Sequence, residues 1–201
     1  SCGEGEKIPF VPVFYKAGNV FIKDETIKLG GRFLKVNSKE KNYTFAFRIF
    51  DFFGNEVSSE EKIPLTFSKG NLESIFSPKV NEVGWYRVEV SLYKDGRRIK
   101  AYNKNLPGEK TFFTFAILPK FNQSQKESPF GICEHYLNKQ NAALLNLAGI
   151  KWLRIDVFWD NIQKDRNSYN WDRLDNIVKI AKKYGINVLP IVDYGVHWAS
   201  T

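Results

Sequence analysis

The sequence predicts a β-sandwich of immunoglobulin type followed by the opening strands of a parallel (β/α)8 barrel. Three observations carry this. Residues 8–118 read as short strands with turn signals and no useful helical period. Residues 118–128, LPKFNQSQKES, are polar and aperiodic and read as a linker. From Pro129 the pattern changes to strand, helix, strand, helix, strand, the order of parallel strands joined by crossover helices. The expected organisation is a tether at 1–7, a sandwich at 8–118, a linker at 119–128 and a barrel segment at 129–201. That segment supplies three strands and two helices. A full barrel takes roughly 250 residues.

Within the first part, Tyr43 to Ile49 alternates, with Tyr43, Phe45, Phe47 and Ile49 on one face. Gly84 to Tyr93 alternates more cleanly. Tyr86, Val88, Val90 and Leu92 form its apolar face, and Arg87, Glu89 and Ser91 form its wet one. Asp95-Gly96 then supplies a hairpin turn, and Thr111 to Ile117 is a further strand. Asp51 to Asn55 and Leu29-Gly30-Gly31 read as turns or loops. Trp85 and Tyr93 share the wet face of their strand, where they could form a stacking platform.

In the second part, Phe130 to His135 is a short strand, and Asn138 to Ala148 a helix with Gly149 at its C′ position. Ile150 to Trp159 is the next strand. Trp171 to Tyr184 is an amphipathic helix with Leu174, Ile177, Val178 and Ala181 on its stripe, ended by Gly185. Ile186 to Tyr194 is the third strand.

Composition narrows the function. Hydrophobic residues make up 43% and aromatic residues 15%, ample for a packed core. No apolar run is long enough to span a bilayer. The net charge is +8, but residues 1–118 carry 19 basic and 14 acidic side chains and residues 119–201 carry 11 and 8. An excess so evenly spread, with acids interspersed, describes a lysine-rich surface rather than a nucleic-acid interface. Two cysteines make neither a disulfide framework nor a metal motif, and neither metal nor cofactor is expected. Cys133, in an apolar stretch, reads as a buried thiol. Ser1-Cys2-Gly3 followed by Glu4-Gly5-Glu6-Lys7 looks like the mature start of a bacterial lipoprotein, with Cys2 as the lipidation site. That predicts a secreted or surface-anchored protein of the cell envelope, held to the membrane by a lipid, and an apolar signal segment upstream in the gene.

Parity places the candidate chemistry. Leu153, Ile155 and Val157 form one apolar set suited to packing under helices; Arg154, Asp156 and Phe158 face the other way, toward a lumen. Charges inside a barrel are costly unless paired or near the mouth, and the mouth at the carboxyl ends of the strands holds barrel active sites. His135 and Asp193 close the first and third strands. Arg154, Asp156, Asp193 and His135 are therefore expected at one rim, with Trp159, His197 and Trp198 on the loops above it. A sugar ring needs such a mixture, stacking its C–H face on an indole while its hydroxyls bond polar groups. Trp171 reads mainly as a packing residue. Glu134 points away from the lumen by parity.

The stretches FGICEHY, AGIKWLRIDVFWDNIQ and YNWDRLDNIVKIAKKYGINVLPIVDYG together resemble the opening of clan A glycoside hydrolases, family 39 in particular, over about 70 residues. The resemblance implies a retaining glycosidase acting on poly- or oligosaccharides. It makes Arg154 the arginine that positions the nucleophilic carboxylate, His135 a substrate-facing residue, and Asp193 and Tyr194 part of the rim. It also implies that the acid/base and nucleophile glutamates, on the fourth and seventh strands, fall beyond Thr201. The 201 residues alone are then expected to be inactive and to need the rest of the barrel. The rival reading is a non-catalytic carbohydrate-binding or adhesion lipoprotein whose sandwich is the working part.

Overall fold

A computed structural model describes residues 7–36, 42–106, 111–120 and 128–199; Cys2, most of the tether and most of the linker lie outside these. The chain divides into two compact units between Lys120 and Phe121.

The first unit is a β-sandwich. Its strands are β1 (Ile8–Val13), β2 (Val20–Ile22), β3 (Leu29–Phe33), β4 (Tyr43–Phe50), β5 (Glu56–Pro64), β6 (Thr66–Ser68), β7 (Asn71–Phe76), β8 (Gly84–Lys94), β9 (Arg97–Ile99), β10 (Ala101–Asn103) and β11 (Phe112–Leu118). One sheet runs β10-β1-β3-β7-β6 and the other β2-β11-β8-β4-β5, with β9 pairing along β8. One core joins them: Phe10, Leu29, Phe33 and Leu72 from the first sheet, Phe45, Phe47, Ile49, Val88, Leu92 and Phe115 from the second. The alternation read along β4 and β8 is the alternation observed. Val88, Val90 and Leu92 are fully enclosed, and every second residue of β8 faces outward. Asp95 and Gly96 both take positive φ, 49° and 75°, as a two-residue turn between right-twisted strands demands.

One turn expectation is corrected. Leu29-Gly30-Gly31 is not a loop but the first half of β3, a central strand paired to β1 and β7. The glycines are there for proximity: a Cβ on Gly31 would lie 2.3 Å from Cε2 of Phe10.

The second unit is a three-stranded parallel sheet in the order β12 (Gly131–Cys133), β13 (Trp152–Phe158), β14 (Asn187–Asp193). The crossovers contain α1 (Lys139–Leu147), the single turn α2 (Trp159–Ile162) and α3 (Asp172–Lys183). Asn138 caps α1, accepting from the N–H groups of Gln140 and Asn141 at 2.8 and 2.9 Å, while Asn141 Oδ1 accepts from the Asn138 N–H at 2.7 Å. Gly149 and Gly185, at φ 74° and 64°, close α1 and α3 in the left-handed region.

Leu153, Ile155 and Val157 are buried under the helices, with Leu137, Ala142, Ile177, Ile180 and Ala181 completing the core. On α3 the buried stripe is Ile177, Ile180 and Ala181, with Leu174 beside it. Val178 is exposed, contrary to its expected place, because the stripe centres on the Ile177–Ala181 row and turns Val178 outward. No helix among the described residues is long and apolar enough to cross a membrane.

Candidate functional site

The open face of the parallel sheet gathers the polar residues. In parallel register Cys133 lies opposite Arg154, Asp156 opposite Ile191 and Phe158 opposite Asp193, so Cys133, Arg154, Asp156, Phe158 and Asp193 share one side. Asp156 is the junction. Its Oδ2 lies 3.1 Å from His135 Nδ1, and its Oδ1 lies 3.2 Å from Arg154 Nη1. The second contact is an ion pair without hydrogen-bond alignment, since Asp156 Oδ1 accepts no hydrogen bond. Asp156 is largely enclosed at 13% side-chain exposure, whereas His135 is 76% exposed, so the carboxylate is fixed and the imidazole reaches outward from it. Arg154 also donates from Nη1 to Cys133 Sγ at 2.8 Å. The bond to Cys133 first, and then the carboxylates of Asp156 and Asp193, push the guanidinium further toward its charged form.

Cys133 is thus exposed on the polar face and not the buried thiol its apolar neighbours suggested. Its neighbour Ile132 alternates to the other side of β12, and the parity that places Arg154 places Cys133 beside it.

Asp193 closes β14 with a buried Oδ1 that has no hydrogen-bond partner among the described residues. The next residue, Tyr194, takes the left-handed conformation at φ 56°, uncommon for a bulky residue. Its exposed ring meets Phe158 edge to face, 5.0 Å between centroids.

Trp159 and Trp198 come together, 5.8 Å apart and nearly perpendicular. Gln163 fastens both. Its Oε1 accepts from Trp159 Nε1 at 2.9 Å, and its carbonyl accepts from Trp198 Nε1 at 3.2 Å. Arg166 lies over the Trp198 ring at 5.9 Å. His197 is exposed on the same short turn as Trp198, and among the described residues nothing bonds its ring. Trp171, expected to pack, is about half exposed and stacks on Tyr169. Glu134 accepts from the backbone N–H of His135 at 3.0 Å. Two supporting residues carried no advance signal. Gln163 lies one helical turn after Trp159, and Arg173, on the first turn of α3, donates to the His135 carbonyl at 2.9 Å.

A cavity of about 520 Å³ opens beside this rim, among the end of β13, the loop after α2 and the first turn of α3. Ile155, Val157 and Ile177 are among its walls, so it reaches behind the sheet; Asp156 also lines it, and Arg154 does not. Among the described residues no three His, Cys, Asp or Glu side chains gather as a metal site.

Comparison with solved structures places the fold. A family 39 glycoside hydrolase from the gut symbiont Bacteroides cellulosilyticus WH2 matches 92% of this chain with a TM-score of 0.64 at 16% identity. This chain spans 34% of that protein's length. A β-glucuronidase of Bacteroides uniformis matches 94% of the chain at 14% identity, with a TM-score of only 0.42 over 24% of its own length. No protein-family model and no curated protein matches the sequence. At such identities the first likeness speaks for the fold, and its source is a glycoside hydrolase.

Proposed function

We propose that this chain is the N-terminal part of a retaining glycoside hydrolase, similar to family 39, that acts on poly- or oligosaccharides. In this reading the parallel sheet is the start of a (β/α)8 barrel, and the sandwich is immunoglobulin-like. The protein is secreted or anchored to the bacterial cell envelope through a lipid on Cys2.

The observation that carries the reading is the Cys133–Arg154–Asp156–His135 row beside Asp193, at and near the carboxyl ends of three parallel strands. Barrel enzymes do their chemistry at that end. Asp156 holds Arg154 in place, and Arg154 offers a fixed positive charge to a catalytic carboxylate. The exposed edge of His135 and the Tyr194 ring present a hydrogen-bonding group and an apolar face to a sugar.

Retention needs two carboxyl groups about 5 Å apart, one attacking and one protonating the leaving oxygen. Asp156 is committed to His135 and Arg154, so the row is a positioning wall rather than the dyad. The reading therefore assigns both catalytic glutamates to chain beyond Thr201.

The test is hydrolysis by the product of the complete reading frame against neutral and acidic polysaccharides, with the anomer of the first product followed by NMR. Arg154→Ala is expected to lower kcat/KM by about 10²-fold or more, the scale of losing one preorganised electrostatic contact. A continuation past the third strand without an Asn-Glu pair and a later lumen glutamate overturns the proposal.

A further inference from the structure

A second recessed surface lies on the sandwich, on the outer face of the β2-β11-β8-β4-β5 sheet. Its floor is short: Ala46 of β4 stands opposite Ser91 of β8. Arg48 and Glu56 rise on one side, and Tyr93, Arg98 and Phe112 on the other, around a trough of about 590 Å³. That volume falls in the range of small-molecule and oligosaccharide sites. The outward row of β8 continues the surface from Tyr93 through Ser91, Glu89 and Arg87 to Trp85, eight residues or about 27 Å of strand. Trp85 is 43% exposed and stands against Phe52 of the β4–β5 hairpin, whose tip also presents Phe53. Tyr93 therefore stands in the trough itself, and Trp85 stands beyond it at the far end of the same polar row.

The charges decide what fits. Arg48 donates to Glu56 Oε2 from Nε and Nη2 at 2.8 and 2.6 Å, and Arg87 pairs with Glu89 at 3.0 Å. With Arg98 and Glu61 added, the lining holds three arginines and three glutamates. A polyanion would meet those glutamates, and a polycation the arginines. The surface is the interior of a sheet face, its strands paired on both sides at β8, so an extended peptide has no free backbone ladder to join. A chain of neutral sugar rings suits it. Its hydroxyls both donate and accept, as arginine–glutamate pairs, Ser91 and Tyr93 require, and its C–H faces can lie on Tyr93 and Trp85.

We propose that this trough binds a neutral, unbranched oligosaccharide. The site shares only its ligand class with the proposed function, because a sandwich can hold a glycan whether or not the parallel sheet belongs to a hydrolase. The test is calorimetric titration of the 201-residue chain with neutral β-1,4-linked hexasaccharides of glucose, xylose and mannose, and with a hexagalacturonate. At least one neutral hexasaccharide is expected to bind. Tyr93→Ala and Arg98→Ala should each weaken it by about tenfold or more, as loss of an anchoring contact does. Arg98 is exposed, and unchanged melting of either variant rules out misfolding as the cause. Arg154→Ala probes the other candidate sugar surface, on the parallel sheet. Binding lost in Arg154→Ala but kept in the trough variants would put the glycan on the parallel sheet and overturn the proposal. So would preference for the galacturonate, or no neutral binding at millimolar concentration. None of these outcomes bears on hydrolysis by the complete reading frame, which is measured separately.

Discussion

Tyr86 shows how much a single side chain can commit the sandwich to a pH range. Its ring is buried against Phe115 and its hydroxyl donates to the Glu82 carbonyl at 2.6 Å. Burial first, then the negative charges of Glu82 and Asp51, raises its pKa above the ordinary 10.0. The folded state therefore holds the phenol proton more tightly than the unfolded chain does. This contribution to stability is complete below the unfolded value near pH 10 and is lost as the pH rises through the folded value. Tyr86→Phe should cost about 1 kcal/mol at neutral pH through the lost hydrogen bond. It should also flatten the decline in stability above about pH 10. Urea unfolding of both proteins across that range checks this, and parallel declines would contradict it. Gly31 makes the opposite kind of commitment, to space. With Phe10 2.3 Å from the position of a Cβ, Gly31→Ala must displace a ring held in the centre of the core. A loss of about 1–3 kcal/mol is expected, read as a lower melting temperature of the sandwich. An unchanged melt would mean that Phe10 can move.

At the scale of the element, α1 depends on its cap. The helix is nine residues long, too short to persist without tertiary support, and buries Ala142 fully. Asn138→Ala removes the one side-chain oxygen that accepts from two N–H groups and should cost about 1 kcal/mol, up to about 2. Chemical unfolding followed by the helical circular dichroism signal measures it; Asn138→Ser or Asn138→Asp should restore most of the loss. Apolar spacing and a terminating glycine are local signals, which is why α1 and α3 were legible in the sequence to within a residue or two. The strands β4, β8 and β13 were legible because alternation needs no knowledge of the partner. The β3 glycines were not, because a close approach between strands and a turn leave the same two letters. Cys133 was misread for a related reason: apolar neighbours show that a strand is partly buried but not which side of it a residue takes. At the site, parity aligned Arg154 with Asp156, and the strand ends put His135 and Asp193 at the same rim. The contact of Cys133 with Arg154 depends on the register between β12 and β13, which pattern does not encode, and Gln163 depends on where one turn of helix begins.

The whole molecule is asymmetric in how well its surfaces are finished. The sandwich buries one continuous aromatic core, while the parallel sheet is left with β12 and β14 each paired on one side among the described residues. Ile132 on β12 and Leu189 and Val192 on β14 are exposed, Val192 at 69%. Apolar residues on an unpaired strand make a template for another strand, and here charge does not guard it: β14 reads Asn187-Val-Leu-Pro-Ile-Val-Asp193, with its one charge at the end. The 201-residue chain should therefore associate with itself through this sheet, the molecular weight from sedimentation equilibrium rising with concentration. Val192→Lys places a charge on the exposed edge strand, next to Val157 of β13 on the same face, and should shift the population toward monomer, with melting followed in parallel because Val157 belongs to the buried set. Under the proposed function, a fourth barrel strand would occupy this edge, and the product of the complete reading frame should then lose the association altogether. A chain that stays monomeric from micromolar to millimolar concentration would mean that the edge is protected by something other than pairing.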